Sequence, residues 1–245
     1  MWVLAWCAFA LFCGGLIKGA LGVGTPLLTV PMMAFVLPPQ MAIAIMALPV
    51  VVANVWQFIN APKEKGIVRD FLPAGLAIAL GSAIGTKILV TIDEKALLIV
   101  VAVLVASFTL LQGSRYRLGI ERPMLWPAGV GFGLAAGVVG GLSSMFGPMM
   151  VLYMVSINGL PKDRFVAGIS FLYLWAVIPW NFQLYFRGLL DHPVLLYSLI
   201  GVFWVSLGML LGQRARQSIS EARFKVAIRG VLFASAASLL ARALV

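Results

Sequence analysis

One lysine and two clusters of glycine, proline, serine and threonine are the residues of this chain best suited to chemistry. Lys18 stands in "GLIKGALGVGTPLLTVP" (15–31), inside a long apolar run. A second cluster, "GGLSSMFGP" (140–148), interrupts another such run. Glycine and proline are poor residues for a helix interior, so each cluster predicts that one helix ends and a new one begins. A helix that starts at Pro26 or Pro148 presents its positive end and unpaired N–H groups, which suits a negatively charged guest. Thr25 and Gly147 are the expected N-caps. The expected substrate-binding set is Lys18, Gly22, Gly24, Thr25 and Pro26 from the first cluster, and Ser143, Ser144, Gly147 and Pro148 from the second. Asn54 and Gln57, with Asn181 and Gln183 in corresponding places, either add amide N–H donors that carry no full charge or serve as hydrogen bonds between helices. Trp56, Trp175 and Trp180 could wall the cavity, but aromatic residues near span ends are usually interfacial anchors, and they are left out of the set.

Other chemistries lack their residues. Cys7 and Cys13 form neither a CxxC pair nor a metal set with His192, the single histidine. All eight acidic residues fall in or beside polar loops, whereas a cation or proton carrier usually keeps a carboxylate within its spans. There is no P-loop, so no ATP site is expected. The reading is therefore a non-enzyme with no cofactor and no metal, taking a small anionic substrate. Gradients of a coupling ion (proton or sodium), the membrane potential or the substrate itself supply the energy.

The elements that must position these groups follow from composition. The 245 residues are 62% hydrophobic and 11% charged, with a mean hydropathy of +1.04. Apolar runs long enough to cross a membrane recur throughout, at about 41–59, 71–91, 96–113, 165–186, 193–212 and 224–243. The net charge of +10 sits in short loops between them, which argues for membrane orientation and anionic lipid rather than nucleic acid. The start, "MWVLAWCAFALFCGG", lacks a basic n-region and a small-residue cleavage site, so no signal peptide is expected.

Runs 1–37 and 125–158 are too long for one crossing. The first would make a helix of roughly 55 Å against a hydrocarbon core of about 30 Å. If each turns back at its glycine cluster, one side collects Lys63, Lys65, Arg69, Arg115, Arg117, Arg122, Lys162, Arg164, Arg214, Arg216, Arg223 and Lys225. The other keeps Lys87, Lys95, Arg187 and Arg242. The positive-inside rule then puts both termini outside the cytoplasm of a bacterial inner membrane. The second arm, 26–37, would rise only about 18 Å, which favours half-membrane depth. Arg229 is expected to snorkel.

The halves also align. A shift of 122 places Gly15, Gly19 and Pro26 on Gly137, Gly141 and Pro148; a shift of 127 places Gly81 and Gly85 on Gly208 and Gly212. These four last glycines are read as close-packing positions between helices. The expected fold is an all-α polytopic membrane protein of two inverted repeats, about five passes each, with broken or re-entrant first helices. The expected divisions are 1–113, a basic cytoplasmic linker 114–124, and 125–245. In this reading the paired breaks converge at mid-depth and a secondary transporter works around them by alternating access. An anion channel or a carboxylate transporter of the same architecture is the alternative.

The pattern G-x-x-x-G-x-x-G-x-G-x-P-x-x-x-x-P (Gly15 to Pro31), then "LPPQMAIAIMALPVVVANVWQF" and a loop ending "KGIVRDF", resembles the TauE/SafE family of membrane permeases. The second copy, "GVVGGLSSMFGPMMVLYM", resembles that family's repeat. The resemblance covers nearly the whole chain and implies transport of sulfite, sulfoacetate or a related organosulfonate. The chain departs from it at Gly24, Thr25 and Pro26, where many members have three consecutive glycines.

Overall fold

The computed structural model describes residues 2–22, 24–111, 118–218, 237, 239–241 and 243. Most of the expected span 224–243, residues 114–117 of the linker, and Arg229 lie outside the described residues.

Ten α-helices are described in full: α1 (Trp2–Leu21), α2 (Thr25–Ala34), α3 (Pro39–Ile45), α4 (Ala47–Ile59), α5 (Ile67–Thr91), α6 (Glu94–Leu111), α7 (Leu125–Ser143), α8 (Gly147–Ser156), α9 (Lys162–Phe186) and α10 (His192–Ser218). Among the described residues the β pairing is one isolated bridge, Ile120 with Ile157. Six helical stretches are long and apolar enough to cross a membrane: Trp2–Ala20, Pro39–Ile59, Ile67–Thr91, Arg122–Ser143, Lys162–Phe186 and His192–Arg214. Helix α6 covers the expected 96–113 span as far as the described residues run. Helices α2 and α8 have 10 residues each, a rise of about 15 Å and half the hydrocarbon thickness.

Local chemistry explains the element ends. The stretch Pro39–Ile59 is interrupted at Met46 because Pro49 has no N–H for the Ile45 carbonyl and its ring crowds that carbonyl. The interruption leaves the Leu48 N–H without a helical partner, and Ser198 Oγ of α10 accepts it at 2.9 Å. Helices α6 and α10 begin under acidic caps: Asp93 accepts the Ala96 N–H at 2.9 Å and Asp191 accepts the Val194 N–H at 3.0 Å.

By contacts the chain divides into two compact units. The first comprises Met1–Pro49, Thr91–Ser114 and Leu189–Val245; the second comprises Val50–Val90 and Arg115–Gly188. Each unit therefore draws on both halves of the sequence.

In the first unit α1 lies along α10, and the seam is made of glycine. A Cβ on Gly15 would strike the Val205 carbonyl, and one on Gly19 the Met209 carbonyl. In return, Gly208 and Gly212 meet the Phe12 and Leu16 carbonyls. Helix α2 folds back on α1, fastened where Trp6 Nε1 donates to the Met32 carbonyl at 2.7 Å. Thr29 Oγ1 donates to the Ala10 carbonyl at 3.2 Å.

In the second unit α5 lies along α7 in the same manner. Gly81 and Gly85 meet the Leu134 and Val138 carbonyls, while Gly137 and Gly141 meet those of Ile78 and Ser82. The close-packing reading of Gly81, Gly85, Gly208 and Gly212 is thus correct. Every contact of one seam maps onto the other at the sequence shifts of 122 and 127. Near the loops, Arg164 of α9 pairs with Asp70 and donates to the Lys65 carbonyl at 3.0 Å, tying the α4–α5 loop to the start of α9.

Candidate functional site

The first break lies wholly in the first unit. Helix α1 ends where Gly22 turns left-handed (φ 79°), with its N–H donating to the Lys18 carbonyl at 2.7 Å. Gly24 is also left-handed (φ 99°) and is the N-cap of α2; Pro26 sits one position inside that helix, where a missing N–H leaves no bond unmade. Gly24 contributes no side-chain cap to the helix start. Lys18, in the last turn of α1, is 4% exposed, and Thr25 is buried.

The second break lies wholly in the second unit and repeats this backbone design. Helix α7 ends at Ser144, left-handed at φ 66° and ψ 2°. Its N–H donates to the Gly140 carbonyl at 2.6 Å, the counterpart of Gly22 on Lys18. Helix α8 begins at Gly147 with Pro148 one position further in, Phe146 as N-cap, and again no side-chain cap. The N-caps are therefore Gly24 and Phe146, not Thr25 and Gly147 as the sequence suggested. Proline fits the second helical position as well as the first, since neither N–H has an intrahelical acceptor.

Around the second break the side chains are aromatic and hydroxylic. The Phe146 ring occupies the space a side chain at Gly140 would need. It meets Trp180 edge-on, with centroids 5.8 Å apart. Trp180 is 0% exposed, and its Nε1–H donates to the Gly141 carbonyl at 3.1 Å. That indole is thus not an interfacial anchor, whereas Trp56, at 52% exposed, is free to be one. The Tyr173 hydroxyl lies 2.6 Å from where a Cβ on Gly147 would be. Ser143 Oγ donates to the Val139 carbonyl at 2.6 Å and accepts the Met145 N–H at 3.3 Å. Ser144 Oγ is buried without a hydrogen-bond partner among the described residues.

All four amides belong to the second unit. Asn54 and Asn181 donate to carbonyls of their own helices, Val50 at 2.7 Å and Val177 at 2.9 Å. Gln57 donates to Ser170 Oγ at 3.2 Å and Gln183 to Ser82 Oγ at 3.1 Å, each joining two helices. The Gln183 Oε1 is buried and has no partner among the described residues. So the second unit gathers Asn54, Gln57, Ser143, Ser144, Gly147, Pro148, Asn181 and Gln183, and the first unit holds Lys18, Gly22, Gly24, Thr25 and Pro26. Sequence reasoning missed Phe146 and Tyr173; the glycine at 140 was the signal, since it makes room for a ring. A separate cleft of about 310 Å³, lined by Asp70, Arg122, Asn158 and Arg164 among others, lies beside the C-terminal end of α8, a helix length from the break.

Comparison with curated proteins and with solved structures gives no match. The family model described as sulfite exporter TauE/SafE matches residues 7–239, a stretch that takes in both breaks and both glycine seams, and the chain belongs to that family.

Proposed function

We propose that the chain is a secondary transporter, exporter or importer, of a small sulfur-containing anion such as sulfite, sulfoacetate or another organosulfonate. It works by alternating access, with the two glycine-rich breaks as its substrate-binding elements. One observation carries this reading: two ten-residue helices start inside apolar runs with no side-chain cap, each behind a left-handed residue. Backbone left open at membrane depth is costly unless protein or a watery cavity receives it. Helix N-termini there suit an anion, and membership of a sulfite exporter family supports the same substrate class. Lys18 supplies a positive charge; Gly22, Gly24, Thr25, Pro26, Ser143, Ser144, Gly147 and Pro148 form the breaks, and Asn54, Gln57, Asn181 and Gln183 add polar lining.

The same reading holds that the chain is two inverted repeats, 1–113 and 125–245, joined by a basic cytoplasmic linker. The protein sits in a bacterial inner membrane among anionic lipids, with both termini extracytoplasmic. The mapping of one glycine seam onto the other at constant shifts supports the repeat. Proteoliposome uptake and counterflow with labelled sulfite and sulfoacetate test the function. Saturable uptake with trans-stimulation is the expected result. Flux without trans-stimulation indicates a channel; flux no greater than in protein-free vesicles, or a preference for cations, overturns the proposal.

A further inference from the structure

Ser144 is the one described residue other than glycine with a positive φ. A β-carbon disfavours that conformation, and glycine adopts it freely. The first break shows that glycine suffices: Gly22, 122 positions earlier, makes the same left-handed turn and the same N–H bond to the carbonyl four residues back. The chain thus keeps a hydroxyl at 144 where the backbone alone would prefer none. Ser144 is 3% exposed, and its hydroxyl has no partner among the described residues, a state native proteins rarely leave unexplained. It stands in the short link that leads into α8, whose start is uncapped.

The residues packed at this break, Gly140, Gly141, Phe146, Gly147, Tyr173 and Trp180, are all uncharged. A receptor of hydroxyl and backbone dipole tolerates one buried negative charge far better than two. The desolvation cost grows with the square of the charge, while the dipoles repay it only in proportion.

Building on the transporter reading above, we infer that the second break is a neutral, hydroxyl-donating receptor for a singly charged tetrahedral oxyanion, with Ser144 Oγ as the group that touches it. The role is specificity: a monoanionic R–SO3 headgroup is accepted, and doubly charged oxyanions of the same size are refused.

The test is equilibrium binding to the purified full-length protein carrying Lys18→Met, so that the charge at the first break does not enter, with two probes of one shape, methanesulfonate and methylphosphonate. Methanesulfonate binds, and methylphosphonate competes below its second ionisation but not above it. Ser144→Gly weakens methanesulfonate by about tenfold or more, the worth of a hydrogen bond to a charged group, while the thermal midpoint does not fall, because glycine relieves the backbone. Binding unchanged in Ser144→Gly, or dianionic methylphosphonate bound as well as its monoanion, overturns the inference. Sulfite or sulfoacetate carried in proteoliposomes by a Ser144→Gly protein of undiminished affinity refutes this inference alone. If none of these anions binds or crosses the membrane, the transporter reading falls with it.

Discussion

The two breaks share a backbone and differ in what they put on it. Each ends one apolar helix in a left-handed residue whose N–H bonds back to the fourth carbonyl before it, and each starts a ten-residue helix with proline at its second position. At a shift of 122, however, Lys18 stands opposite Gly140, and Gly24 opposite Phe146. Bulk has changed places. In the first break the side chain comes from the end of the leading helix and ends in an amine; in the second it comes from the link, is aromatic, and needs a glycine beneath it. The local backbone follows: Gly24 has φ 99°, whereas Phe146 has φ −68°. One backbone design has thus been given a lysine-bearing and an aromatic version of the same helix start. The conserved part of the comparison is what makes a break, and the variable part is what a break would bind.

The largest effect should come from what the units share. Gly85→Leu and Gly212→Leu each drive a side chain into a backbone carbonyl of the facing helix, Val138 or Leu16. Each should cost more than about 3 kcal/mol, read as loss of monodisperse protein on size exclusion. Tolerance of either would break the equivalence of the two seams.

Next comes the exchange of bulk. Gly140→Lys alone collides with the Phe146 ring and should destabilise by about 2–3 kcal/mol. Adding Phe146→Gly should recover about 1 kcal/mol or more, measured as coupling in a thermal-melt double-mutant cycle. Additive losses would mean that the space at Gly140 is not the one Phe146 fills.

Third, Lys18→Met keeps most of the buried stem and removes the charge. It should weaken anion binding by about tenfold or more, with little change in melting temperature. An equal, negligible effect of Lys18→Met and Arg229→Met on binding would remove Lys18 from the proposed site. The smallest effect is at Trp180→Phe, which keeps the ring against Phe146 and gives up the bond to the Gly141 carbonyl, about 1 kcal/mol in a melt.

Much of this molecule was legible because glycine and proline act through their own backbone. The ends of α1 and α7 and the starts of α2 and α8 were readable from "GALGVGTP" and "GGLSSMFGP", with an error of one residue at the caps. The glycine pairs could be read as seams because a helix presents every fourth residue on one face. Which seam joins which was not readable. Gly15 could have packed against any other small-residue face, and only the folded chain pairs α1 with α10 and α5 with α7. Trp180 could not be placed for the same reason: a tryptophan late in a span favours the interface on average, and only the facing Gly141 carbonyl and Phe146 ring take it inside.

The sequence by itself determined that the chain is a bundle of apolar helices with two interruptions at equivalent places, because hydrophobic run length and backbone-breaking residues are properties of a short segment. Tertiary structure alone decided that the compact units interleave the two halves and that the amide groups are engaged in joining helices or in their own turns. It also decided that Ser144 keeps a buried hydroxyl with nothing to hold among the described residues. Burial and partnership depend on segments far apart in the chain meeting in space, and no local pattern of residue types carries that information.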